Sequence, residues 1–332
     1  MMVAHKEGIL VPQSTEALIQ EVNPGIWCQT HPFFLGDLTL YAIEDGGEVL
    51  LIDTGAKGFG TPDLLLEHLG YGERLDGVKV FVTHNHYDHA SNAAALEARG
   101  AQILMDLTWK PRIYDPPAWA VLCGYPQKES ACFMDPQIKY LHADVQPTYP
   151  VTDVNEGDII TVGSRSFQVI ATSGHTMGHY CLFEPETGIL FSGDCVIDTI
   201  MPIICTTMLG RGELAMAYRS LERLKGLGAS LTLPGHLGPI RGEGSLQRSI
   251  DSIRKSYDYN VGFVESILET GKRFSIHGAE LEWQERHVSG HGKPLYQAMR
   301  ALKLLACFEY LHDQGVASRE MSADGAAIYS AL

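Results

Sequence analysis

The stretch FVTHNHYDHASN, Phe81 to Asn92, closes an apolar run with three histidines and an aspartate: His84, His86, Asp88 and His89. An extended backbone points alternate side chains the same way, so His84 and His86 face one side as the chain leaves a strand. Asp88 and His89 follow where the chain turns toward the Ala-rich segment SNAAALEARG, and the turn aims them at a neighbouring point. Two pairs of donors displaced by a turn suit two metals in one cleft better than one. Nitrogen and carboxylate donors without thiolate fit Zn first, with Fe or Mn accepted by the same set.

Four donors are too few for two metals, so partners are expected at other strand ends. Three stand in such places. His175 follows the strand FQVIAT, Asp194 follows GILF in FSGD, and His236 follows LTL in LPGH. Each comes after an apolar strand and next to a glycine, where the backbone can turn and present a side chain at the sheet edge. The strands around them read clearly. GIWCQTH and LTLYAI form a pair, GGEVLLIDTG is a turn and a buried strand, and Glu186-Thr187-Gly188 turns a hairpin between YCLFEP and GILFSGD. TPDLLLEHLG reads as a helix with Thr61 as its cap, Pro62 at the first position and Gly70 as its stop. GELAMAYRSLERLKGLG is an amphipathic helix.

Taken in order, Asp53 in LIDTG, the THNHYDH cluster, His175 in SGHTMGH, Asp194 in FSGD and His236 in LPGH resemble the five motifs of the metallo-β-lactamase superfamily of hydrolases. The resemblance covers about residues 25 to 242. It implies an α/β fold, a four-layer αββα sandwich with the site at one edge of the paired sheets. It also implies roles: His84, His86 and His175 on a first metal, Asp88, His89 and His236 on a second, and Asp194 between them. Asp53 would hydrogen-bond behind a ligand and orient it. Two divalent ions, zinc foremost, would hold a bridging hydroxide near neutral pH for attack on an ester-type carbonyl. Asp88, as the catalytic residue, would take the proton of the attacking water. No Gly-x-Ser-x-Gly elbow is present to supply a serine nucleophile instead.

His179, four residues after His175, reads better as a histidine behind the site than as a ligand. Cys195, next to Asp194, reads as a small buried hydrophobe, because adjacent residues at a strand exit point apart. From Asp106 to Pro150 the strand-helix rhythm lapses into an aromatic, Pro-containing insertion, a pocket wall or lid, with a peripheral helical patch as the plainer alternative. Trp109, Tyr114 and Trp119 in it are candidate substrate contacts, as is His291 in the Gly-rich loop HVSGHGKP, which is otherwise a connector. Residues 1–244 are thus expected to form the catalytic domain. Residues 245–332 are expected to form an all-helical C-terminal appendage.

The 332 residues are 45% hydrophobic, and 25 Lys and Arg stand against 40 Asp and Glu for a net charge of -15. That field disfavours nucleic acid and anionic membranes as partners. No apolar run is long enough to span a bilayer, and Glu7 and Pro12 interrupt any signal-peptide core, so a cytoplasmic setting is expected. Seven cysteines without a Cys-x-x-Cys pair suit free thiols. The expected partner is a small acyl substrate, and an exposed apolar helix in the tail would favour a homodimer. The reaction expected is hydrolysis of a thioester or lactone. Alternatives are a phosphodiesterase or nuclease, a metal-retaining regulatory or binding protein, and a mononuclear iron dioxygenase acting on a persulfide.

Overall fold

The structure, a computed structural model, describes residues 2–4, 10–12, 18–33, 36–107, 115–135, 137–138, 145–198, 202–204, 209–287 and 294–332. After a short hairpin of Met2–Ala4 with Leu10–Pro12, two sheets form in chain order. The first holds β1 (Leu18–Asn23), β2 (Ile26–His31), β3 (Leu38–Asp45), β4 (Glu48–Ile52), β5 (Val78–Phe81), β6 (Gln102–Met105) and β7 (Thr152–Asp153). Its strands run antiparallel through β4 and parallel from β4 to β7. The second holds β8 (Ile159–Val162), β9 (Arg165–Ala171), β10 (Tyr180–Glu184), β11 (Ile189–Gly193), β12 (Leu231–Pro234) and β13 (Ile240–Arg241). Only β11 and β12 are parallel there.

Period-two alternation explains the layers. In β4, Leu50 and Ile52 face the second sheet and pack with Phe167, Phe191 and Leu233, while Val49 and Leu51 face the other way. On that outer face lie α1 (Asp63–His68), α2 (Tyr87–Ala90) and α3 (Ala93–Glu97), contributing Leu65, Leu66, Ala90 and Leu96. Strands apolar on both faces are what a sheet covered on both sides requires. Each such large side chain fully buried contributes about 1.5–3 kcal/mol. The outer face of the second sheet, with Ile170, Cys181 and Leu190, is covered by α5 (Glu213–Lys225) through Leu214, Leu221 and Leu224. The four layers are therefore helix, sheet, sheet, helix.

One helix boundary shifts from expectation. Pro62 caps α1 and Thr61 lies outside it, its hydroxyl donating to Asp63 Oδ2 at 2.6 Å. The C-terminal region is helical as expected, with α6 (Ser245–Leu268), α7 (Ile276–Arg286) and α8 (Pro294–Asp313). It is not all helical. Phe274–Ser275 (β14), Ala317–Met321 (β15) and Ala327–Ala331 (β16) make a small antiparallel sheet in the order β14-β16-β15. An Asp324-Gly325 turn with Gly325 at φ 91 sets its hairpin, and Glu309 on α8 anchors it through Arg319 and the Tyr329 hydroxyl.

The described part of the insertion includes α4 (Pro116–Leu122) and a 3-10 helix, Ser130–Met134. Asp115 caps α4, its carboxylate accepting from the Ala118 amide. Trp119, Phe133 and Ile138 share one continuous core with α6, α8 and the outer face of the second sheet. The element type changes at residue 245, but the packing does not stop there.

Candidate metal centre

The site forms where the two parallel pairs, β4-β5 and β11-β12, release their chains at the same edge. The backbone ties the sheets together there, with Tyr180 N donating to Thr83 O and Thr39 N to Gly235 O, while Gly235 N donates to Gly193 O within the second sheet. Seven donors converge. His84 Nε2 lies 3.1 Å from His86 Nδ1, which lies 3.0 Å from His175 Nε2. His236 Nε2 is 3.3 Å from Asp88 Oδ2, and His89 Nε2 is 3.8 Å from Asp88 Oδ1. Asp194 reaches both groups, with Oδ2 at 3.6 Å from His175 and 3.5 Å from His236, and Oδ1 at 3.5 Å from His89.

Most imidazoles around this edge have their other nitrogen fixed by the protein. His175 Nδ1 donates to Ile203 O at 2.8 Å, and His236 Nδ1 to Gly36 O at 3.2 Å. His89 Nδ1 donates to Asp53 Oδ2 at 2.8 Å. Asp53 also accepts from the Thr83 amide and hydroxyl at 2.8 and 2.9 Å. Because a carboxylate only accepts, the Thr83 hydroxyl gives its proton to Asp53 and takes one from His84 Nδ1, 3.0 Å away. One carboxylate thus sets the tautomers of His84 and His89, leaving both Nε2 lone pairs turned inward.

Two glycines allow this density. A Cβ on Gly235 would stand 2.6 Å from His89 Cε1 and 2.8 Å from Asp194 Oδ1. A Cβ on Gly193, at φ 47, would stand 2.7 Å from His179 Nε2. His179 itself uses both nitrogens on the protein: Nε2 accepts from the Asp194 amide at 3.1 Å and Nδ1 meets Thr172 Oγ1 at 2.7 Å. It stands behind Asp194 and fixes where that residue starts. Cys195 is buried in the core beneath and belongs to none of the donor groups.

The residues fit bound cations. A tetrahedral ion with bonds of about 2.0–2.1 Å to nitrogen holds its ligands about 3.3–3.4 Å apart, close to the spacings seen. His89 Nε2 and Asp194 Oδ1 are buried with no hydrogen-bond partner. Asp53, Asp88 and Asp194 are all 6% exposed or less, and among the described residues their ion-pair partners are imidazoles alone. Burying three carboxylates without a compensating cation is costly.

The electrostatics separate the two groups. Burial, then the His89 and His86 imidazoles, holds His84 well below its usual value, and burial pushes His175 down to about 4. Burial would also depress His89 and His236, but the carboxylates of Asp194 and Asp88 overcome it and raise both. Burial opposes ionisation of Asp194, yet His236, His89 and His175 hold its carboxyl far below the usual carboxylate range.

Of the expected substrate contacts, Trp119 is 4% exposed and packed in the core, so its ring backs the layer rather than facing a pocket. Trp109, Tyr114 and His291 lie outside the described residues. Thr83 and the carbonyls of Gly36 and Ile203 were not singled out from the sequence. Thr83 had a signal, sitting between a strand and the first histidine; a carbonyl leaves none.

A two-sheet sandwich with a His and Asp cluster where its strands end at one edge defines a class of metal-binding fold. A profile of the Metallo-beta-lactamase superfamily matches residues 38–236, and the chain belongs to that superfamily. Its members are mostly metal-dependent hydrolases that hold divalent ions in such clusters. The chain is 27% identical over 190 residues to an acyl-coenzyme A thioesterase of Gallus gallus, covering 53% of this chain and 64% of the relative. It is 29% identical over 156 residues to a hydroxyacylglutathione hydrolase of Bdellovibrio bacteriovorus, covering 46% of each. It thus matches less than two thirds of the length of these relatives. Among solved structures, a metallo-beta-lactamase family protein from Thermus thermophilus superposes with a TM-score of 0.75 at 22% identity, over 94% of this chain and all of that one. A beta-lactamase domain protein from Burkholderia ambifaria gives 0.73 at 24% identity, over 95% and 94%. These two share the fold. No described helix is long and apolar enough to cross a membrane.

Proposed function

We propose that this chain is a dinuclear metal-dependent hydrolase acting on an ester-type carbonyl, a thioester or lactone with an apolar acyl part. The observation that carries the reading is Asp194, whose two oxygens face imidazoles of both donor groups. His84, His86 and His175 would hold one ion, and Asp88, His89 and His236 the other. When bound, the ions supply a water-derived nucleophile at neutral pH and a Lewis acid for the substrate oxygen. Asp53, through Thr83 and directly, keeps His84 and His89 in the tautomers that present Nε2. Asp88, 5% exposed and placed between His89 and His236, is the carboxylate that takes up the proton released at the site. The thioester preference is supported by the two relatives, whose names give an acyl-coenzyme A and a hydroxyacylglutathione as what they act on.

The test joins elemental analysis of the purified protein to a panel of acyl-coenzyme A and glutathione thioesters, lactones, phosphodiesters and β-lactams. About two ions per chain and turnover of a thioester or lactone are expected, with Asp194→Ala losing both. Turnover of phosphodiesters alone, or of no carbonyl substrate with metal present, would overturn the reading.

A further inference from the structure

The segment GHLGPIRGEGSLQRS, Gly235 to Ser249, leaves the metal edge at His236, forms β13 and enters α6. A cleft of about 350 Å³ opens along it, lined by Asp198, Leu237, Arg241, Ser245, Arg248 and Ser249 among others. Leu237 directly follows His236, and Asp198 comes four residues after Asp194, so the cleft begins beside the metal edge. Its far wall is the first turn of a 24-residue helix. That N-terminus has no side-chain cap and no acidic residue in its first turn. Its positive pole is therefore left for something else to complement.

Ser245 opens the helix, lines the cleft and is 5% exposed, and its hydroxyl has no hydrogen-bond partner. Of the buried hydroxyls that lack a partner among the described residues, Ser245 is the one that borders this cleft. Two guanidinium groups add charge. Arg248 uses Nη1 on Glu243 O, and Arg241 uses Nη2 on Val22 O, so each retains other donors. Among the described residues Asp198 is the one carboxylate lining the cleft, and it is exposed, where solvent screens it. In a chain of net charge -15, this pairing of two arginines with an uncapped helix start is a local reversal of sign.

We infer that this cleft is a subsite for a phosphate group carried by the thiol part of the substrate. The inference rests on the thioester reading above and narrows it to thioesters of phosphorylated carriers. A helix start, a hydroxyl and two guanidinium forks border one cleft, a donor set that suits the several acceptor oxygens of a tetrahedral oxyanion. The acyl carbon can then reach the metal edge while the carrier is held in the cleft that starts one residue beyond His236.

The experiment compares kcat/KM for one acyl group on coenzyme A and on N-acetylcysteamine, which lacks phosphate, in the metal-loaded wild type, Arg248→Gln and Ser245→Ala. The preference for the coenzyme A thioester is expected to fall about tenfold or more in Arg248→Gln, mostly through KM, and by less in Ser245→Ala. Thermal unfolding checks that both variants fold; Ser245→Ala removes an unpaired buried hydroxyl and should not lower Tm. In parallel, calorimetric titration with inorganic pyrophosphate should show binding weakened by a similar factor in Arg248→Gln. A preference and a pyrophosphate affinity both untouched by Arg248→Gln would overturn the subsite. Weakened pyrophosphate binding with an unchanged preference would assign the cleft to a free phosphate effector and overturn its role for substrate. If no thioester is turned over at all, the thioester reading fails, and the pyrophosphate titration alone decides whether the anion site exists.

Discussion

Asp53 sits at φ 64, a left-handed backbone that costs a non-glycine residue about 1 kcal/mol or more. The strain is held by its amide, which donates to Phe81 O, and by a carboxylate that accepts from Thr83 and His89. Two metal-facing histidines take their orientation from this one side chain. Asp53→Ala is expected to weaken metal binding by about 10–100-fold while the core still folds, read by chelator competition alongside circular dichroism. Unchanged metal affinity would show that His84 and His89 are oriented without it. A second expectation concerns pH. A metal binds neutral imidazole and releases any proton it displaces. His84 and His175, held down chiefly by burial, are already neutral at about pH 6. His89 and His236, raised against burial by Asp194 and Asp88, carry protons there. Zinc affinity of the His89 and His236 group should therefore climb between about pH 6 and 8, while that of the His84 and His175 group changes little. Calorimetry of metal-free protein at the two pH values resolves the steps; two steps that shift equally would contradict the asymmetry.

At the scale of elements, what was legible in the sequence follows from periodicity and from where polar residues interrupt it. Strands such as VLLI and ILFSG are apolar on both faces because each lies between a second sheet and a helix layer, and this made them stand out. Donors directly after such strands were equally visible, and the structure brings Asp53, His84, His175, Asp194 and His236 to one edge. The weak signals were those set by distant packing. β1 was not separated from the polar N-terminal stretch, and β15 and β16 were lost behind a long helix although Asp324-Gly325 marks their turn. Trp119 looked like a pocket ring because aromatic content says nothing about which face a short stretch turns inward. Its burial is decided by the core it shares with α8, far later in the sequence. The boundary drawn at residue 245 is a change of periodicity, and periodicity carries no information on what a helix packs against.

On the scale of the whole molecule, the tail reaches the metal edge through backbone carbonyls. The Tyr257 hydroxyl, on α6, donates to Pro202 O at 3.3 Å, and the next carbonyl, Ile203 O, receives the proton of His175 Nδ1. At the other end of that crossing, Gly210 N donates to Glu309 Oε2 on α8 at 2.6 Å. Two tail helices thus bond at Pro202 and Gly210, the first of them next to the carbonyl that sets His175, although His175 lies far ahead of Tyr257 in the chain. Tyr257 is 4% exposed, so replacing it with phenylalanine keeps the ring's packing and removes only the hydroxyl. Tyr257→Phe should weaken metal binding by less than about tenfold, since it acts one peptide removed from a ligand's own partner. The loss should fall on the His84, His86 and His175 group, which is the one that changes little with pH. Measuring both binding steps at a single pH separates this from general destabilisation. A lowered Tm with both affinities intact would mean the tail stabilises the sandwich without orienting its donors.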